Sequence, residues 1–487
     1  MINRSLLLLL LSILFTLNVI AQHGFQLTFG DSQNSEYIHQ AIELKSGDFI
    51  ITANSYSSLT SDVDPYLALI SSDGYIIKDT IYKDVNSSFS FINITDFNNK
   101  IVLFSIKLPR SGVLSDSLIF AEIDTSLCVS NVKKIHFADS LSSGNVKMKA
   151  YDDFLLISGS LDSINPSAIG RVNAYLWKID TNYLISNSRE LSSSVNNKYD
   201  LYDVIVDDNK KIYSYYNYAV YDYRSHKIVF NEDLSVDSIY YQNYGDFYQY
   251  VYFEKVKSKL FMIAMTKVLK PRIYSMNTNY DTNYSFVYWN SNIDSYSATA
   301  RALSSYNNYI FAGVTENVNR LNPWWGMQNS NYYVVKMDSL GNKIWESRIG
   351  NSGNYYILYD VLATSDGGCL LSGSVYNYLS NSYQKDMFIT KLDSNGTTTW
   401  TQNIKVPQVK LTIFPNPTSQ SINIVLVAND QIIKEYQIFD LQGKLVLQKQ
   451  IDAKQYKINV QSLARGVYII EGVTNTGAPF GSRFVKE

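Results

Sequence analysis

Short apolar runs that each follow a polar turn recur along most of the chain: Phe49-Ile50-Ile51, Ile101-Val102-Leu103-Phe104, Phe154-Leu155-Leu156-Ile157, Lys211-Ile212-Tyr213, Leu260-Phe261-Met262-Ile263, Tyr309-Ile310-Phe311 and Cys369-Leu370-Leu371. The spacing is roughly fifty residues, seven times over, and such a period marks an architecture of repeated units. The turns use residues that tolerate tight or left-handed backbone, among them Ser46-Gly47-Asp48, Asn98-Asn99, Asp152-Asp153, Asp208-Asn209, Asn307-Asn308 and Asp366-Gly367-Gly368, so each should close a hairpin. Some 25 to 35 residues later a further strand leads into its own turn, most clearly at 332–338 before Ser339-Leu340-Gly341 and at 387–393 before Ser394-Asn395-Gly396. Related versions are read at 66–72, 119–124, 175–180, 227–233 and 286–290.

Every repeat thus offers two hairpins, or four strands, and no segment carries a helical period. Four-stranded units repeated in this way predict an all-β, seven-bladed β-propeller over residues 22–405, because radial packing hides the sheet edges. A β-solenoid or two stacked sandwiches stay open as alternatives. Trp345 and Trp400 end the last two repeats in a form that resembles the Asp-x-x-Gly-x-x-x-Trp pattern of bacterial propeller repeats. Phe29-Gly30 precedes Ala41-Ile42 by the interval at which Ile349-Gly350 precedes Val361-Leu362, so residues 25–30 resemble an outer strand that lacks a blade of its own. They could complete the last blade, and residues 397–404 compete for the same place.

The repeat stops near Val406-Pro407. After a linker at 406–410, residues 411–487 alternate cleanly, with Ile422, Ile424 and Leu426 on one face, which predicts a small β-sandwich. Within it Phe414-Pro415-Asn416-Pro417-Thr418, Ile438-Phe439-Asp440-Leu441-Gln442-Gly443-Lys444, Leu463-Ala464-Arg465-Gly466-Val467-Tyr468 and Arg483-Phe484-Val485-Lys486 follow in order. Together these motifs resemble the type A sorting domain of the type IX secretion pathway. Pro415 and Pro417 should fix an extended entry to the first strand, Gly443 a hairpin turn and Gly466 a bend; Asn416, Asp440 and Tyr468 complete the motifs in a structural role. The resemblance implies the type IX machinery as a partner and passage across the outer membrane of a Bacteroidota cell. Removal of the domain and either release or attachment to surface lipopolysaccharide usually follow.

The other end agrees with export. Arg4 leads into an apolar run from Leu6 to Ile20, and small residues precede a cleavage expected between Ala21 and Gln22, so residues 1–21 read as a signal peptide. Later apolar stretches such as 260–265 are too short to span a bilayer, so no transmembrane segment is expected after signal removal. Lys plus Arg number 42 and Asp plus Glu 44, a net charge of −2, which gives no electrostatic reason to expect nucleic acid as a partner. Charged residues make up 18% while Tyr alone numbers 40, a balance that suits strands and wet polar surfaces. Cys128 and Cys369 fall in different repeats and are read as unpaired, mostly buried thiols.

Candidate chemistry is sparse. The four His, at 23, 39, 136 and 226, are scattered, and no metal-binding, nucleophile-elbow or calcium-loop signature occurs, so neither a metal nor a cofactor is expected. Asp62, Asp64, Asp207 and Asp208 read as turn residues. In a propeller the longer connections between second and third strands gather on one face, the usual seat of function. Here they include 320–331 with Trp324 and Trp325, the segment 267–284, and 215–223, although the alternation in the last suits a strand. Trp324 and Trp325 are the candidate ligand-binding residues, since flat amphipathic rings beside Asn and Ser suit sugars or a protein partner. Asp-Ser or Asp-Thr before an aliphatic residue, at Asp79, Asp116, Asp139, Asp162, Asp237 and Asp338, resembles the Bacteroidota O-glycosylation acceptor pattern.

Three functions fit: a non-catalytic binding propeller for a glycan or protein, a polysaccharide hydrolase or lyase with carboxylates gathered at the ring's centre, and a structural surface or adhesion component. Deleting residues 411–487 should leave the protein in the periplasm, scored by cell fractionation; normal export of the truncated form would refute the sorting role.

Overall fold

The computed structural model describes residues 24–30, 34–57, 63–82, 87–109, 117–136, 141–163, 172–191, 198–219, 224–241, 249–257, 259–265, 271–276, 282–286, 302–317, 329–380, 384–398, 411–426, 432–440, 444–475 and 479–487. Each apolar run falls in the second strand of a four-stranded antiparallel group: Phe49–Ser57, Lys100–Pro109, Leu155–Ser163, Ile212–Ala219, Lys259–Met265, Tyr309–Asn317 and Cys369–Asn377. Inner strands are covered on both faces, which is why they read as runs rather than as alternation. In Cys369–Asn377 every residue before the last is buried, whereas the outermost strand Ile76–Ile81 is largely exposed.

Six groups occupy 34–81, 87–136, 141–191, 198–241, 249–286 and 302–349; a seventh combines 354–392 with the N-terminal strand Phe25–Phe29. A single parallel bridge, Val172 to Lys198, joins the third and fourth groups. No helix occurs among the described residues. The first strand of each group contacts the first strand of the next, and that of the seventh, Asn354–Ala363, returns to that of the first, Asn34–Glu43. This closed succession of four-stranded sheets is a β-propeller. Its core lies between neighbouring groups: Phe104, Phe120 and Trp177 join the second to the third, and Phe311, Tyr332 and Phe388 the sixth to the seventh.

The turns that follow the third strands, and one other, share a fixed chemistry. Asp124, Asp180, Asp207, Asp338 and Asp393 each accept, through Oδ1, the backbone N–H groups two and four residues on, at 2.7 to 2.9 Å. Asp207 does so in a turn between first and second strands, as the sequence predicts, whereas Asp64 lies within a strand, Val63–Ile70, and not in a turn. Three residues after the Asp, or after its Asn231 counterpart, the backbone is left-handed: Leu127, Tyr183 and Leu234 adopt φ of 58°, 61° and 61°. Such φ values are unfavourable for these side chains, and packing offsets them. All three are buried, and Tyr183 stacks on Phe120 of the preceding group with 6.0 Å between ring centroids.

Where that turn position is glycine, the neighbouring group fills the space instead. A Cβ on Gly396 would lie 2.7 Å from the Trp345 ring, and one on Gly74 would lie 2.5 Å from the Phe25 ring. Trp345 is the third residue of the outermost strand of the sixth group, Lys343–Ile349, and Phe25 begins the outermost strand of the seventh. The N-terminal segment therefore occupies the outer place and supplies the plug that Trp345 supplies elsewhere. Residues 399–404 of the competing segment lie outside the described residues.

Two expectations need correction. The third strand of the fifth group is Pro271–Met276, not residues 286–290, and Thr282–Phe286 follows it, so much of 267–284 is sheet rather than loop. The sequence misled because Tyr and Asn dilute the apolar signal there. Cys128 is exposed, since it sits at a hairpin turn; only Cys369 is buried, and both are free thiols.

The C-terminal unit packs a three-stranded sheet, Leu411–Phe414, Ser421–Leu426 and Gln455–Asn459, on a four-stranded one, Leu445–Ala453, Ile433–Asp440, Gly466–Thr474 and Pro479–Lys486. Ile422, Ile424 and Leu426 point into its core, as their alternation predicts. Replacing Phe25, which is 2% exposed, by Ala should cost roughly 3–5 kcal/mol by the usual penalty for truncating a buried aromatic ring, read from urea unfolding of the propeller. Stability unchanged by that substitution would contradict the closure described.

Candidate functional site

The first strand of every group is a sheet edge, and its outward N–H groups need partners. Side chains of the preceding group supply several of them. Gln40 Oε1 accepts from the Ile94 N–H at 3.1 Å and Asp203 Oδ2 from Phe253 at 2.9 Å. Ser304 Oγ accepts from Ala363 at 2.9 Å, and Asp360 Oδ2 accepts from Ala41 at 3.0 Å across the seam between the last and first groups. Bulges just before these positions, for instance between Ile38 and Gln40 and between Leu358 and Asp360, re-aim the side chains toward the neighbour.

Charge gathers on these same strands. Lys149 Nζ lies 2.6 Å from Asp203 Oδ2 and donates to the Phe253 carbonyl at 2.8 Å, so both backbone polar groups of Phe253 are held. Glu254 accepts from Ser305 Oγ at 2.6 Å, and Lys147 places its ammonium 4.7 Å over the Tyr252 ring. Burial pushes the Glu254 carboxyl up to about 7, against the pull of Lys149 and Ser305. Burial likewise pushes Asp360 up to about 6, against Lys147 and the N–H groups of Ala41 and Val361. Both can hold a proton near neutral pH, yet Glu254 and Asp360 are each engaged in joining one group to the next.

A cavity of about 220 Å³ opens at the seam, lined by Tyr37, Ile38, His39, Asn54, Tyr56, Val63 and Tyr359. Tyr37, Ile38 and His39 come from the first strand of the first group, Asn54 and Tyr56 from its second, Val63 from the start of its third, and Tyr359 from the first strand of the seventh, near the end where second strand gives way to third. His39 and Tyr359 are the bulge residues, which is how strand side chains come to face a cavity. The Tyr37 and Tyr359 rings stand edge to face with centroids 6.4 Å apart, and Lys385 holds Tyr37 with its ammonium 4.7 Å over the ring and 3.3 Å from the hydroxyl. A second cavity, of about 300 Å³, lies between the third and fourth groups on the hairpin-turn side. There Glu232 sits 3.5 Å from Lys178 and 3.1 Å from Lys210, so the cavity's lysines are paired.

Trp324 and Trp325 lie outside the described residues, as do Ala21, Gln22, Gly443 and the linker 406–410. Tyr215, at the start of the segment read either as loop or as strand, belongs to Ile212–Ala219 and is buried against Phe253. Sequence reasoning missed the seam tyrosines. Their signal was the aromatic residue at the bulge, Tyr359, next to a carboxylate, Asp360.

In the C-terminal unit the first and last motifs meet. Asn416 Oδ1 accepts the Val485 N–H at 2.8 Å, its amide donates to the Arg483 carbonyl at 3.3 Å, and the Thr418 N–H donates to the Val485 carbonyl at 2.9 Å. Pro415, Asn416 and Pro417 therefore form an exposed bend tied to the terminal strand, not the extended entry their prolines suggested. Asp440 accepts the Lys444 N–H at 2.9 Å. Tyr468 donates to the Ala464 carbonyl at 2.9 Å and stacks on Phe484 at 5.6 Å. Gly466 begins its strand without left-handed backbone, so no glycine-only bend occurs there.

Residues 412–486 match the family described as the secretion system C-terminal sorting domain. The C-terminal unit is a sorting domain of that family. It directs export through type IX secretion to the cell surface or the extracellular space, and the Bacteroidota source is inferred from it. No curated protein matches the chain in sequence. Among solved structures, the chain is similar to the β-propeller domain of the Trilobed protease from Pyrococcus furiosus, at 10% identity and a TM-score of 0.41 over 75% of this chain and 99% of that one. It is also similar to the acylaminoacyl peptidase of Pyrococcus horikoshii, at 10% and 0.41, covering 80% of this chain but only 57% of the peptidase, little more than half its length. A third similarity is to an exo-β-1,3-galactanase from Phanerochaete chrysosporium, at 11% and 0.34, over 71% and 96% of the two chains. Likenesses this remote bear on neither activity nor ligand.

The carboxyl of Asp360 titrates higher in the folded ring than in an unfolded chain, so the folded state binds more protons between about pH 4 and about pH 6. Its contribution to stability is therefore present at low pH and lost as pH rises through that window. Asp360→Asn keeps an acceptor for the Ala41 N–H and removes the titration. The variant should melt higher than the parent at pH 8, by about 1–2 °C or more, and show no such gain at pH 4. Equal differences at both pH values would refute this role.

Proposed function

We propose that the mature protein, residues 22–405, is a seven-bladed propeller that binds an extracellular glycan or protein without chemical turnover, either released or attached at the cell surface. Residues 1–21 act as an export signal and 411–487 as the sorting label that engages the type IX machinery. The observation that carries the binding reading is the seam cavity, where Tyr37, Tyr56 and Tyr359 surround Asn54 and His39 on the long-connection side. Aromatic walls with a few convergent polar groups are what recognition sites require. Trp324 and Trp325, the candidates read from the sequence, are proposed as further ligand contacts.

A second reading, a polysaccharide hydrolase or lyase, is favoured by one observation: Glu254 and Asp360 both titrate close to neutrality. Binding is preferred because Asp360 spends an oxygen on the Ala41 N–H and Glu254 accepts from Ser305, which gives both carboxylates structural employment. The two readings separate on a glycan array and pull-down with residues 22–405, run beside turnover assays on polysaccharides. Retained ligand that Trp324→Ala with Trp325→Ala weakens, with no turnover, is expected. Turnover abolished by Glu254→Gln or Asp360→Asn would make it an enzyme.

A further inference from the structure

We infer that the seam cavity is a subsite for one uncharged pyranose ring of an extracellular glycan, an assignment that rests on the binding reading above and narrows its ligand. Size comes first. At about 220 Å³ the space is smaller than the roughly 300–1,000 Å³ of pockets that take drug-sized ligands, so it admits a single ring and not a folded peptide segment.

Shape and chemistry agree. Tyr37 and Tyr359 meet at 62°, which makes a corner with one aromatic face and one aromatic edge. The C–H-bearing face of a pyranose packs on such a ring, while its hydroxyls leave the ring's rim and need partners that both donate and accept. Asn54, His39 and Tyr56 line the same cavity, and side chains of these types both donate and accept. No Asp, Glu, Lys or Arg is among the described lining residues, which favours an uncharged ligand.

The site is also built to be rigid. Lys385 grips Tyr37 through its ring face and its hydroxyl, and a wall fixed in advance lowers the ordering cost of binding a small ligand. Tyr37 and Tyr359 come from the first and last groups, so the subsite is complete only when the ring is closed.

The test uses the exported protein and ligand-observed NMR with a panel of methyl hexopyranosides, each titrated to the millimolar range expected for a single ring. At least one should bind saturably. Tyr359→Ala and Tyr37→Ala should each weaken it by about tenfold, while Tyr359→Phe, which keeps the ring, should hold affinity within about twofold of the parent. Near-parental affinity in Tyr359→Phe also guards against loss through misfolding. No binding by any glycoside, or binding that both alanine variants leave intact, overturns the inference. Peptides that bind through Tyr359 and are not displaced by glycosides would overturn the sugar assignment and leave the binding propeller standing. No ligand at all on glycan arrays or in pull-downs would end the binding reading itself.

Discussion

An antiparallel sheet of four strands has two edges, and every outward N–H and C=O on them must find a partner or face water. At the inner edge, partners come sideways: Gln40, Asp203, Ser304 and Asp360 each reach the backbone of the following group. At the outer edge of the last group, the partner is the strand Phe25–Phe29 from the other end of the chain. That addition joins the first segment of the propeller to its last, and the ring holds together because its first and last strands lie in the same sheet.

The same joint positions what function the propeller can have. Bulges that aim Asp360 at Ala41 also turn Tyr359 and His39 out of the regular ladder, and the cavity forms where these displaced side chains meet Tyr37 and Tyr56. Closure and the cavity proposed for recognition thus share residues that are neighbours in sequence. Asp360 beside them behaves as a structural group that tolerates burial through backbone contacts, at the expense of an elevated affinity for protons.

Much of this fold was legible in the sequence because second strands are covered on both faces and therefore write continuous apolar runs, and because the turn aspartates sit at a fixed interval from left-handed positions. The equivalence of Phe29-Gly30 with Ile349-Gly350 was legible too, but residues 397–404 carry the same marks, and only pairing beside Asp386–Leu392 chooses between them. The fifth group hid its strands because Tyr and Asn stand where aliphatic residues stand elsewhere. The seam cavity was not legible, since Tyr37 and Tyr359 belong to opposite ends of the chain and meet only through closure. In the sorting domain the motifs were plain, whereas the contact of Asn416 with the terminal strand depends on folding and could not be read from order alone.

Closure by the N-terminal strand is the claim on which the rest stands, and amide hydrogen exchange on the full chain tests it most directly. The account predicts that amides of Phe25–Phe29 bonded into the sheet exchange as slowly as those of Cys369–Asn377, because both open only when the last group opens. Rapid exchange throughout Phe25–Phe29, with Cys369–Asn377 still protected, would contradict it.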